Sequence, residues 1–145
     1  MNKLAISAIF IFGFLLTGCG ANAAAPTQPV SSAPPGVTSV EIIYLNHGPV
    51  RAVLTDIDKL LANYGEKIAV TRYDFNSPEG ESFAKSHDLN GHIPLAIFVN
   101  GSMDFTVGER SGQFYSFPQG QGTGIVPDGA WNLDDLQQVL DQTVE

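Results

Sequence analysis

The chain is short of thiols and of positive charge. Among its 145 residues there is one cysteine, Cys19. No disulfide can close within the chain, and an attacking thiolate would find no resolving thiol. Lysine and arginine number 7 against 15 aspartates and glutamates, for a formal net charge of −8. So acidic a chain offers no basic field to nucleic-acid phosphates or to anionic lipid headgroups, which excludes both as electrostatic partners. Long apolar runs are also missing. The run at residues 4–16 falls well short of the roughly 20 residues that a membrane-crossing helix needs. What remains is an apolar content of 43%, ordinary for one small domain with a leader.

The apolar run follows Lys3 and ends in Leu16-Thr17-Gly18-Cys19. A short positive region and an apolar stretch of this length suit a secretory signal. The ending resembles the lipobox of bacterial lipoproteins, and it lies directly at the end of the run. The resemblance implies that residues 1–18 are a lipoprotein signal peptide, cut before Cys19. The Cys19 thiol would then be acylated, and usually the new amino terminus as well. Two or three acyl chains anchor stably where one does not. Ala21-Asn22-Ala23 and Ala23-Ala24-Ala25 also fit a small-x-small site, so an ordinary signal cleaved after Ala23 or Ala25 is the competing reading. Either way the mature domain keeps no free thiol. Residues 19–39 read as a tether: no charge from Gly20 to Ser39, with Pro26, Pro29, Pro34 and Pro35 keeping it extended.

Residues 40–145 read as one domain. A strand is expected at 40–45. Val50, Val53, Leu54, Ile57, Leu60, Leu61 and Tyr64 then recur on one face at helical period, with Gly65 as the stop. A second strand at 68–75 completes a β-α-β unit, whose strands should be parallel. Ser77-Pro78-Glu79 opens a second helix running to about residue 87, with Phe83 as its core residue. Leu95 to Val99 is a strongly apolar strand, and Asn100-Gly101 is a hairpin signal leading to a strand at 103–107. Met103 is expected in the core. Asn132 caps a last helix whose apolar face is Leu133, Leu136, Val139 and Leu140.

The turn joining the first strand to the first helix is Asn46-His47-Gly48-Pro49-Val50-Arg51. It is similar to the active-site turn of the thioredoxin family, in which two cysteines flank Gly-Pro. His47 stands at the first cysteine and Val50 at the second; Gly48 and Pro49 are kept. Ile93-Pro94, just before the hairpin strand, matches the family's cis-proline. The resemblance implies a three-layer α/β/α sandwich in the order β-α-β-α-β-β-α around a mixed four-stranded sheet. It also implies a cis bond at Ile93-Pro94, and it brings His47, Gly48, Pro49, Val50, Ile93 and Pro94 to one end of the sheet. It does not carry the activity. His47 cannot attack sulfur and Val50 cannot resolve a mixed disulfide, so the domain is expected to be redox-inactive and not an enzyme.

Residues 108–129 are expected to form a long loop at that same end, where Phe114, Tyr115, Phe117 and Trp131 either wall a groove or pin the loop to the sheet. The spacing of Gly120, Gly122 and Gly124 is not a phosphate-binding pattern. His87, at a helix end, reads as a solvated polar residue. The functional expectation is a lipid-anchored protein of the bacterial cell envelope, outside the cytoplasmic membrane, with no cofactor. It would bind an extended peptide or an envelope protein, with Ile93 offering backbone pairing. The alternative is a zinc or copper site at His47 and His92. His47 at a helix N-terminus should be neutral near pH 7, as a metal ligand must be.

Overall fold

The computed structural model describes residues 33–144. The expected signal peptide, the expected acylation site Cys19 and the expected tether up to residue 32 lie outside the described residues. In chain order the elements are β1 (Thr38–Tyr44), α1 (Gly48–Leu61), β2 (Ile68–Asp74), α2 (Pro78–Ser86), β3 (Leu95–Val99), β4 (Asp104–Val107), β5 (Arg110–Gln113) and α3 (Leu133–Thr143). The result is a mixed α/β domain with a mixed sheet and three helices.

Strand β1 is central. It pairs parallel with β2 and antiparallel with β3, giving the order β2-β1-β3. Because side chains alternate along a strand, β1 and β3 each feed two cores. Val40, Ile42, Leu95, Ile97 and Val99 face α1 and α3, while Ile43, Ala96 and Phe98 face Phe83 and Ala84 of α2. Full burial of each such aliphatic side chain contributes about 1.5–3 kcal/mol, so both faces of the sheet must be covered.

The stripe of α1 packs as its spacing requires: Val50, Val53, Leu54, Ile57 and Leu61 are buried. The helix stops at Leu61, short of Tyr64. Tighter bonds from Asn63 N–H to Leu60 C=O and from Tyr64 N–H to Leu61 C=O end it. The Tyr64 hydroxyl then reaches α3, donating to the Asp141 carboxylate at 2.8 Å. Burial and that carboxylate push the phenol up to about 12. Ser77 caps α2 by accepting from Gly80 N–H at 3.0 Å. Asn132 and Asp135 close a reciprocal capping box on α3.

Three expectations are corrected. The single four-stranded sheet does not form: β4 pairs with β5 in a separate two-stranded ladder, and β3 meets the following turn only through a Val99–Ser102 bridge. The segment 114–116 lies beside β3 instead, with Ile97 N–H donating to Phe114 C=O and Ser116 N–H donating to Leu95 C=O. The strand β5 falls inside what reads as loop, because Arg110-Ser111-Gly112-Gln113 has no apolar alternation to mark it. The Ile93–Pro94 bond is trans, as are all bonds among the described residues. Pro94 C=O already accepts from Leu45 N–H at 2.9 Å, so the chain runs straight on into β3.

His87 is not a solvated residue. Its ring stacks on Phe83 at 4.1 Å and lies 4.5 Å from Phe98. Nδ1 donates to Phe83 C=O at 3.0 Å, since a carbonyl can only accept, and Nε2 is buried without a partner. Beside it on the sheet sits Glu41, 7% exposed. Burial raises its carboxyl above the usual carboxylate value, with the His87 ring opposing in part. Burial and the Glu41 charge together raise the Tyr73 phenol. The folded state therefore holds the Glu41 proton more tightly than the unfolded chain does. Stability tied to that proton is present below the unfolded carboxylate range and is lost as pH rises through the raised folded value. Glu41→Gln should stabilise the domain at pH 8 by on the order of 1 kcal/mol, and the advantage should vanish near pH 3. Denaturant unfolding at the two pH values measures this, and an advantage independent of pH would refute it.

Candidate functional site

The site is built where β1 ends. Leu45 is tied to Pro94, and His47 N–H donates back to Leu45 C=O at 2.8 Å in a tight turn. That turn leaves His47 extended, at φ −113° and ψ 159°, as the cap of α1. Its side chain makes no capping bond, Pro49 occupies the first turn, and no acid sits there. The other arm is Gly91-His92-Ile93-Pro94. Gly91 at φ +92° turns the chain into it, a conformation that favours glycine. The two arms bring the His47 and His92 rings to 5.9 Å between centroids, tilted by 40°. Both histidines are exposed.

The third side is the segment 114–131, and hydrogen bonds fasten it. Trp131, fully buried, sends its indole N–H to the carbonyls of Tyr115 and Ser116 at 3.1 and 3.3 Å. Gly129 N–H donates to Phe117 C=O and Gln119 N–H to Trp131 C=O. A Cβ at Gly129 would run into Tyr115 C=O and the indole, so only glycine fits. The Asp128 carboxylate collects Gly120 N–H at 2.8 Å and Gly122 N–H at 2.5 Å. Thr123 and Val126 close a turn whose tip is Gly124-Ile125. Ile125 is left 93% exposed, the most solvent-facing of the large apolar side chains described.

Two cavities open between these arms. The smaller, about 220 Å³, lies among His47, Pro49, Val50, Pro94, Phe117 and Ile125. The larger, about 410 Å³, adjoins it and is bordered by Tyr115, Gln113, Ser116 and Pro127. His92, Pro94 and Val126 belong to both, so the two form one trough. The smaller is below, and the larger near the bottom of, the range of about 300–1,000 Å³ common for small-molecule sites. Their walls are mostly apolar.

Of the residues expected in a groove, His47, Pro49, Val50, Pro94, Tyr115 and Phe117 line the trough. Gly48, Ile93 and Phe114 do not. Phe114 is wholly buried, stacked on Phe105 at 4.6 Å and edge-on to Trp131 at 5.5 Å, so it pins the segment to the core. Ile93 is buried on the opposite face with Phe83. Beyond it, the edge of β3 is paired at Leu95 and Ile97 by the chain's own segment 114–116. Sequence reasoning missed Leu45, Thr123, Ile125 and Val126. The one signal for them is Ile125-Val126-Pro127, an apolar patch inside a glycine-rich stretch. Among the described residues no three histidine, cysteine or acidic side chains gather in a metal-binding group.

No protein-family model matches the chain, and no curated protein does. It is similar to a solved structure described as "Structure of a malarial protein", with a TM-score of 0.45 and 14% identity over 75% of this chain and 99% of that one. A likeness that remote carries no argument about function.

Asp128 is the clip on this side of the trough. Asp128→Ala should release the amides of Gly120 and Gly122 at a cost of about 1–2 kcal/mol, confined to the segment. Hydrogen exchange should show faster exchange at residues 119–126 with little change in the strands. Equal loss of protection throughout the domain would contradict this.

Proposed function

We propose that this is an extracytoplasmic lipoprotein that presents a redox-inactive, thioredoxin-like domain as a binding module for a peptide or partner protein of the cell envelope. The observation that carries the binding reading is the trough itself: two adjoining, mostly apolar cavities meeting at His92 and Pro94 at the end of the central strand. The thioredoxin-like reading is supported by the helices on both faces of a β2-β1-β3 sheet and by the nearness of Pro94 to the turn at His47. The trans Ile93–Pro94 bond and the separate β4–β5 ladder depart from that family's pattern. The anchor rests on the lipobox-like residues at 16–19 alone.

Recognition in this reading runs through the side chains that line the trough, since the chain's own segment 114–116 already pairs beside Leu95 and Ile97. A bulky apolar side chain of the occupant fills the smaller cavity, covered by Ile125. A second side chain rests against Tyr115 in the larger one. No catalytic constellation is invoked, and thiol chemistry is excluded by the valine and histidine at positions 50 and 47.

Panning a random peptide library against the immobilised chain tests this. Enriched peptides should share a large apolar residue and bind at least tenfold more weakly to Ile125→Asp and to Tyr115→Ala. Ile125 is 93% exposed and Tyr115 36%, so neither change threatens the fold. If nothing is enriched, or if both variants bind as the parent does, the reading fails.

A further inference from the structure

The two histidines at the junction of the cavities have no structural employment. They come from separate segments, the turn after β1 and the loop before β3, yet their rings lie 5.9 Å apart. His47 does not cap α1. Among the described residues, neither ring makes a hydrogen bond, in contrast to His87, whose Nδ1 is bound to a carbonyl. Both face solvent.

The separation is itself informative. An imidazole nitrogen binds zinc or copper at about 2.0–2.1 Å, which sets the ring centre about 3.2 Å from the metal. Two rings on one ion then have centroids about 4.5 Å apart at a right-angled arrangement and about 6.4 Å apart at a linear one. The observed spacing falls inside that window, towards its wide-angle end. We infer that His47 and His92 form a two-imidazole site for a late first-row divalent cation, Cu²⁺ ahead of Zn²⁺, held open at the edge of the trough.

Imidazole suits both ions, and Cu²⁺ stands above Zn²⁺ in the usual order of affinity. Two opposing fields act on the cation. The net charge of −8 draws cations to the molecule, while the positive end of α1 lies next to His47 and repels them. With two protein ligands and no hydrogen bond orienting either ring, the site is a weak chelate, with a dissociation constant on the order of 10 µM. Its remaining coordination positions are open to water or to a donor group on whatever occupies the trough. This inference goes beyond peptide binding and does not depend on it.

The test is a titration of the full chain with CuCl₂ and with ZnCl₂ in detergent at pH 7.5, carrying Cys19→Ser so that the lone thiol cannot compete. One equivalent of Cu²⁺ should bind with a dissociation constant between about 1 and 100 µM, with Zn²⁺ weaker. The copper electron-paramagnetic-resonance spectrum should show nitrogen coupling. His47→Ala and His92→Ala should each weaken uptake at least tenfold. Absence of uptake, or uptake unchanged in either single variant, would overturn the inference. No peptide is present, so a negative result leaves the trough's binding role to be judged by the panning experiment.

Discussion

Burial of β1 on both faces is the constraint that organises the domain. A strand with a helix layer on each side must present apolar residues in both directions, and Val40, Ile42 and Ile43 do so within four positions. That demand places α1 and α3 on one face and α2 on the other. It also fixes where β1 can stop. Leu45 is bound to Pro94, so the chain can leave the sheet only at the point where His47 starts α1. The turn, the proline loop and the trough all follow from where this one strand ends.

The exception on β1 is Glu41. It interrupts the α2-facing row between Ser39 and Ile43 and lies within electrostatic reach of the His87 ring and the Tyr73 phenol. Ser39 Oγ and His87 Nε2 are both buried without a partner. The layer under α2 thus holds buried polar groups without partners, whereas the buried Asp135 of α3 is paired with Arg110 and the cap of its own helix.

What could be read from the sequence follows the physical strength of each signal. The α1 stripe, the Ser77 and Asn132 caps and the apolar β3 run are local patterns, and the structure realises them nearly residue for residue. The end of α1 was misplaced because Tyr64 continues the periodicity while its hydroxyl serves α3. Strand β5 was invisible because polar residues are held there by pairing, by the Gln113–Asp104 bond and by the Arg110–Asp135 ion pair, none of which leaves a sequence period. The site was legible in part. His47, Pro49 and Pro94 were found through a likeness of sequence order to a known turn. Ile125 and Val126 were not, because their position depends on long-range closure by Trp131 and Asp128.

The polarity of β1 has a mechanical consequence. The chain arrives from its N-terminal side at Thr38, where Thr38 Oγ1 also touches the end of α3 through Thr143 C=O. The trough lies at the other end of the strand, about 23 Å away at 3.3 Å per residue. A pull between something held in the trough and the N-terminal segment therefore acts along the strand axis. Hydrogen bonds to β2 and β3 run across that axis, so they resist together in shear and do not peel one by one. Load applied between Thr38 and the trough end of β1 thus meets the ladder in its stiffer direction.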